Sequence, residues 1–145
     1  MSIPTRRLGR GGPQVSAVGF GGMSLGGAYG QKDTEEDKLA LLDHAHAIGE
    51  RFWDTADIYA ESEDVIGKWF KRSGKRDDIF IATKFALDYT NMVQTVRSDP
   101  EYVKMACDRS LNRLGIETID LYYCHRVDGK TPIEKTIEAM VELKK

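Results

Sequence analysis

The chain is poor in cysteine, has no long apolar run and carries no excess of positive charge, and each shortage narrows what it can be. Cys107 and Cys124 are the only cysteines among 145 residues. They form no CxxC or other ligand-spaced pattern, so they read as two free thiols of a reducing cytosol rather than a disulfide or a metal centre. No apolar stretch approaches the ~20 residues of a membrane span. The N-terminal "MSIPTRRLGRGG" has arginines but lacks the apolar core of a secretory signal. A net charge of −2 argues against nucleic acid and anionic membranes, which select basic patches. A cytoplasmic protein with no membrane span and no nucleic-acid partner is the expectation. There is no Walker A sequence. "GFGGMS" is not a dinucleotide loop, because Ser24 takes the third glycine position and the next helix starts about ten residues later. His44 and His46 are two apart on a predicted helix, face different ways and cannot share a metal.

What remains is ordinary globular material, 41% hydrophobic and 30% charged, enough for one domain with a core. Its elements alternate. "VSAVGFGGM" (15–23) is an apolar run ending in glycines and reads as a strand. "DTEEDKLALLDHAHAIG" follows as a helix, capped by Asp33 or Thr34, stopped by Gly49, with Leu39, Leu42, Ala45, His46 and Ile48 on its loosely apolar face. "RFWDTAD" is the second strand. "SEDVIGKWFKRSG" is a helix capped by Ser62, with Val65, Ile66, Trp69 and Phe70 on one side and Gly74 at its end. "DDIFIATKF" (77–85) reads as a strand buried on both faces. Asp99, Pro100 and Gly115 bracket the third helix as N-cap, first helical residue and C-terminal stop. "IDLYYCH" (119–125) is the fourth strand. "TPIEKTIEAMVELKK" opens on a capping box of Thr131 and Glu134, with Ile133, Ile137, Met140 and Val141 predicted to be buried.

The order predicts an α/β fold, a parallel sheet covered by helices, preceded by a hairpin turning at Gly9–Gly12. The candidate long loop is 86–99, and Met92, Met105 and Met140 read as loop or core filler.

In parallel α/β folds, ligands bind beyond the carboxyl ends of the strands. The residues at those ends are Gly21, Gly22 and Met23 on the first strand, Asp54 and Tyr59 on or after the second, Lys84 on the third and His125 on the fourth. Gly21, Gly22, Met23 and Asp54 are the candidate cofactor-contacting positions. Each residue alone has a plain structural reading. Asp54 and Asp57 could be turn acids, Tyr59 a rim aromatic and His125 a satisfied core histidine. Lys84 is harder to dismiss, because a lysine on a doubly buried strand needs a partner. Together they have a chemical logic. An ammonium beside a phenol favours phenolate, a carboxylate beside the ammonium keeps it charged, and a neutral imidazole can donate to a carbonyl oxygen. Such a set suits proton donation during reduction of a carbonyl, with hydride from a nicotinamide or flavin.

"FWDTADIY" resembles the "FDTADxYG" signature of the aldo-keto reductases. "IATKF" is similar to that family's catalytic-lysine strand, "DLYYCHRVD" to its catalytic-histidine strand, and "VGFGGMSLGGAYG" to its first strand and loop. The wording is closest to the branch holding plant and microbial reductases and potassium-channel beta subunits. The resemblance implies a TIM (β/α)8-barrel fold and reduction of an aldehyde or ketone, a small-molecule carbonyl substrate. It implies NADPH, or NADH, rather than flavin. It also implies Tyr59 as general acid, Lys84 and Asp54 as its tuning pair and His125 as the group that orients the carbonyl. Glu50, Arg51, Ala60 and Ser62 depart from the family's usual wording, with Ala60 where glycine commonly follows the tyrosine.

A complete barrel takes about 250 residues. Four βα units correspond to its first half, so residues 1–145 are expected to form the N-terminal half of an aldo-keto reductase-like domain, as a fragment, a truncated product or an isoform. Two open sheet edges invite self-association. The alternative function is a non-catalytic regulatory or binding subunit on the same scaffold.

Overall fold

In the computed structural model, residues 3–30, 33–89 and 94–144 are described. The chain begins with a hairpin of β1 (Thr5–Arg7) and β2 (Gln14–Ser16), paired antiparallel. Gly9 and Gly11 turn it, with φ of 72° and 74°. The predicted strand over 15–23 is therefore two pieces. Val15 and Ser16 belong to the hairpin, and only β3 (Phe20–Gly21) enters the main sheet before a 3-10 turn over Gly22–Gly26.

The main sheet is parallel, in the order β3, β4 (Phe52–Asp54), β5 (Phe80–Phe85) and β8 (Leu121–Cys124). Strands neighbouring in sequence are neighbours in space. Each crossover is a helix: α1 (Glu35–Ala47), α2 (Ser62–Ser73) and α3 (Pro100–Leu114), with α4 (Ile133–Leu143) after the last strand. This is an α/β fold of the TIM-barrel type in its first four units. The predicted long loop carries a short antiparallel ribbon of β6 (Leu87–Asp88) and β7 (Thr95–Val96). Met92 lies outside the described residues. Met105 is exposed and Met140 packs at the margin of the second core cluster. Both cysteines are free.

Side chains alternate across the sheet. Trp53, Ile81, Thr83 and Phe85 are buried. Trp53 and Ile81 share one apolar cluster with Leu42 of α1 and Val65, Ile66, Trp69 and Phe70 of α2. Phe85 packs with Tyr102, Val103 and Ala106 of α3 and Ala139 of α4 in a second. The other face carries Phe52 and Asp54 in register with Phe80 and Ala82, and Ala82 and Lys84 in register with Leu121 and Tyr123. Phe80 and Lys84 are only half-buried there. Ala82 between them is fully buried, so the expectation that β5 is buried on both faces holds at its centre and not at Phe80 and Lys84.

Two predicted caps are also corrected. Ser62 is the first residue of α2, not its cap. Its hydroxyl donates to the Gly22 carbonyl at 2.8 Å and takes a hydrogen bond from Thr55 at 2.8 Å, tying the strand ends together. Thr131 donates to Asp128 at 2.8 Å, and α4 starts without a side-chain cap. Asp128 instead collects the backbone N–H groups of Lys130, Thr131 and Ser98, which hold its carboxyl well below the usual range. Of the predicted buried face of α4 only Met140 packs against the core. Thr136 and Ala139 dock, the former donating to the Ser98 carbonyl at 2.7 Å, while Ile133, Ile137 and Val141 stay exposed. The apolar stripe of α4 is real, but no described residue covers it.

Candidate active site

Hydrogen bonding of the sheet type continues past the ends of β4 and β8. Thr55 N–H donates to Ala82 at 2.8 Å, Asp57 N–H to Lys84 at 3.0 Å, and His125 N–H to Phe85 at 2.8 Å. These bonds hold the segments after β4 and β8 level with Lys84, and the four predicted side chains meet there. The Lys84 ammonium is ion-paired with Asp54 and donates to the Thr55 carbonyl at 2.7 Å. It stands 3.5 Å from the Tyr59 hydroxyl and 4.9 Å from the ring centre. The His125 ring meets the Tyr59 ring edge-on, 5.8 Å between centres at 85°. Burial, then the charges of Lys84 and Arg126, push the His125 imidazole below its ordinary value, against a weaker pull from Asp54. The ring is therefore neutral at pH 7, and its buried Nδ1 has no partner among the described residues. A phenol between an ammonium and a neutral imidazole is equipped to give a proton to an oxygen that gains charge.

Gly21 is paired with Asp54 across β3 and β4, and a Cβ added to it would meet nothing within 4 Å. The sheet is open beside the carboxylate at that point. Gly22 is buried, and a Cβ there would come within 3.0 Å of the Ser62 hydroxyl and 3.1 Å of the Asp54 carbonyl. It serves close packing of the strand ends. Met23 is partly exposed and lies 3.9 Å from the Tyr29 hydroxyl.

Behind Tyr59 lies a group of charges that reading along the chain missed. Asp57 is fully buried and paired with Arg109 at 2.9 Å; burial, only partly offset by Arg109, pushes its carboxyl up to about 6. Glu63 is buried, accepts from Thr83 at 2.7 Å and lies 3.2 Å from Arg113. Arg113 also pairs with Asp64 at 2.7 Å. The one available signal was the spacing of Arg109 and Arg113, four apart on the face of α3 that also bears the buried Ala106 and Ser110.

Residues 17–145 match the family model described as the aldo/keto reductase family. The chain belongs to the aldo/keto reductase family. It is 50% identical to aldo-keto reductase str7 of Strobilurus tenacellus over 150 aligned residues, 100% of this chain and 43% of that protein. It is 47% identical to aldo-keto reductase yakc, designated NADP(+), of Schizosaccharomyces pombe, over 97% of this chain and 42% of that one. The structure superimposes on aldo-keto reductase AKR11C1 from Bacillus halodurans, in its holo form, with a TM-score of 0.85 at 36% identity, covering 98% of this chain and 46% of that one. The chain thus spans less than half the length of these relatives.

Proposed function

We propose that this chain is the N-terminal half of an aldo-keto reductase domain and carries the proton-transfer site of an enzyme that reduces an aldehyde or ketone to an alcohol with NADPH. The observation that supports this most strongly is the position of Lys84, in contact with both Asp54 and Tyr59 while His125 faces the same phenol. NADPH is favoured because yakc, a close relative, is designated for NADP(+). The residues fit the reacting end of such a cofactor. Gly21 leaves space beside Asp54, Met23 offers a partly exposed apolar surface, and the strand-end position suits a flat ring. Gly21, Gly22, Met23 and Asp54 would hold that end, and the cofactor when bound supplies the hydride.

The chain's own groups do the rest. His125, neutral, donates a hydrogen bond to the substrate carbonyl and fixes its direction. Tyr59 gives its hydroxyl proton to the same oxygen as negative charge grows there. Lys84 stabilises the phenolate left behind, and Asp54, ion-paired with it, aims the ammonium. Water or buffer returns the proton. The open edges of β3 and β8, with the uncovered stripe of α4, further suggest that the isolated chain associates with itself.

The test is loss of NADPH absorbance with a panel of aldehydes and ketones, on the chain and on any longer product that contains it. Substrate-dependent oxidation is expected. A folded preparation that neither binds NADPH nor turns over any carbonyl would contradict the reading.

A further inference from the structure

Tyr59 sits on a turn, not on a strand, so something must fix where its hydroxyl points. The turn has its own bonds: Tyr59 N–H to Ala56 at 3.0 Å, Ala60 N–H to Ile58 at 2.8 Å and Ser62 N–H to Tyr59 at 2.9 Å. Its geometry is not a relaxed one. Ala60 has φ of 44°, in the left-handed region where a side chain is crowded by its own backbone. On one side the 3-10 turn presses in so closely that a Cβ on Gly26 would stand 2.4 Å from the Tyr59 carbonyl oxygen. On the other side is one guanidinium. Arg113, near the end of α3, donates to the Asp57 carbonyl at 2.9 Å and to the Ala60 carbonyl. These are the two carbonyls that bracket Ile58 and Tyr59. Its remaining donors go to Asp64, at 3.0 Å from Nε and 2.7 Å from Nη2, while Glu63 lies 3.2 Å from Nη1. Both acids are on the first turn of α2, the helix that follows the turn.

We propose that Arg113 is a positioning residue for Tyr59. It spans the turn with two carbonyl contacts, is itself aimed by Asp64 and Glu63, and thereby holds a strained backbone in the one arrangement that brings the phenol to Lys84 and His125. The planar fork matters, because a point charge cannot reach two carbonyls and a carboxylate at once in fixed directions. The proposal rests on the reading of Tyr59 as proton donor.

The test compares Arg113→Met, Arg113→Lys and Asp64→Ala with the parent protein, by amide exchange and by steady-state kinetics over pH. In Arg113→Met the amides of residues 59–62 should exchange at least about tenfold faster while those of β4 and β5 hold their rates. The kcat should fall by about tenfold or more, with KM and NADPH affinity within about twofold and the pH profile of kcat displaced. Arg113→Lys should recover part of the loss. Asp64→Ala, at a half-exposed residue, should move every readout the same way by less, and it serves if Arg113→Met does not fold. Unchanged exchange in 59–62 would overturn the clamp. A kcat loss that comes with equal loosening of α2, α3 and the sheet, with no recovery in Arg113→Lys, would overturn the positioning role. A parent protein that binds NADPH but turns over nothing would contradict the role of Tyr59, while the exchange data would still decide for or against the clamp.

Discussion

The ammonium of Lys84 is 3.5 Å from the hydroxyl of Tyr59, although the two are 25 residues apart and on different elements. The parallel register of β4 and β5 creates this contact. Asp54 lies opposite Ala82, which leaves Lys84 two residues further along the same face, level with the turn that carries Tyr59. Lys84 reaches back to Asp54 and sideways to the phenol, so a single ammonium couples both.

If that coupling drives the chemistry, Lys84→Met should lower kcat by about 10²-fold or more, the scale of a group that assists proton transfer. Turnover of carbonyl with NADPH measures it. Activity within about twofold of the parent would mean that Lys84 only neutralises Asp54.

Asp57 predicts a pH dependence of stability. Its carboxyl titrates at about 6 in the folded chain, against 3.8 for an ordinary aspartate. Folding therefore favours the protonated acid, and this contribution is fully present below about 3.8 and lost as pH rises through about 6. The loss is on the order of 2–3 kcal/mol. Asp57→Asn keeps an acceptor for Arg109 but cannot ionise, so its stability should stay flatter from pH 4 to pH 7.5, and it should be the more stable protein at the upper end. Urea midpoints across that range test this; parallel curves for the two proteins would contradict it.

Gly67 sets the approach of α2 to α3. A Cβ there would stand 2.4 Å from the Arg113 carbonyl oxygen and 2.9 Å from Leu114, both backbone atoms that cannot swing aside. Gly67→Ala gains about 1 kcal/mol of helix propensity and should lose about 1–3 kcal/mol to overpacking. A lower melting temperature is expected, with a kcat loss like that of the Arg113 variants, because the backbone of Arg113 must move. A higher melting temperature would mean that the helices slide apart freely.

The patterns that proved legible are those with a local cause. Asp99 caps α3 through the Tyr102 N–H at 3.0 Å, Pro100 opens it, and Gly74 and Gly115 end their helices with φ of 68° and 64°. Val65, Ile66, Trp69 and Phe70 all face the core. What the sequence hid has a non-local cause. Ser62 looks like a cap, but the partner that claims it, the Gly22 carbonyl, lies 40 residues away on another strand end. The stripe of α4 marks an apolar face without saying whether α3 takes it, and α3 takes the face of Thr136 and Ala139 instead. At the site, Asp54, Tyr59, Lys84 and His125 were readable because strand ends converge in any parallel sheet. Arg113 was not, because it acts on backbone carbonyls some 50 residues away.

The uncovered surface predicts behaviour in solution. Ile133, Ile137 and Val141 on α4 and Tyr123 on the edge strand β8 are exposed together with the open sheet. The 145-residue chain should therefore sediment as more than a monomer at micromolar concentration, and Ile137→Glu with Val141→Glu should shift it toward monomer. A parent chain that is already a cooperative monomer would contradict this.

Whether Tyr59 supplies the proton is decided by Tyr59→Phe, which keeps the ring between Lys84 and His125 and removes only the hydroxyl. The measurement is kcat for carbonyl reduction beside the dissociation constant for NADPH, on the longest active form of the protein. A fall in kcat of about 10²–10⁴-fold is expected, with NADPH affinity nearly intact. A kcat equal to that of the parent would contradict that role of Tyr59 and assign the proton to another group.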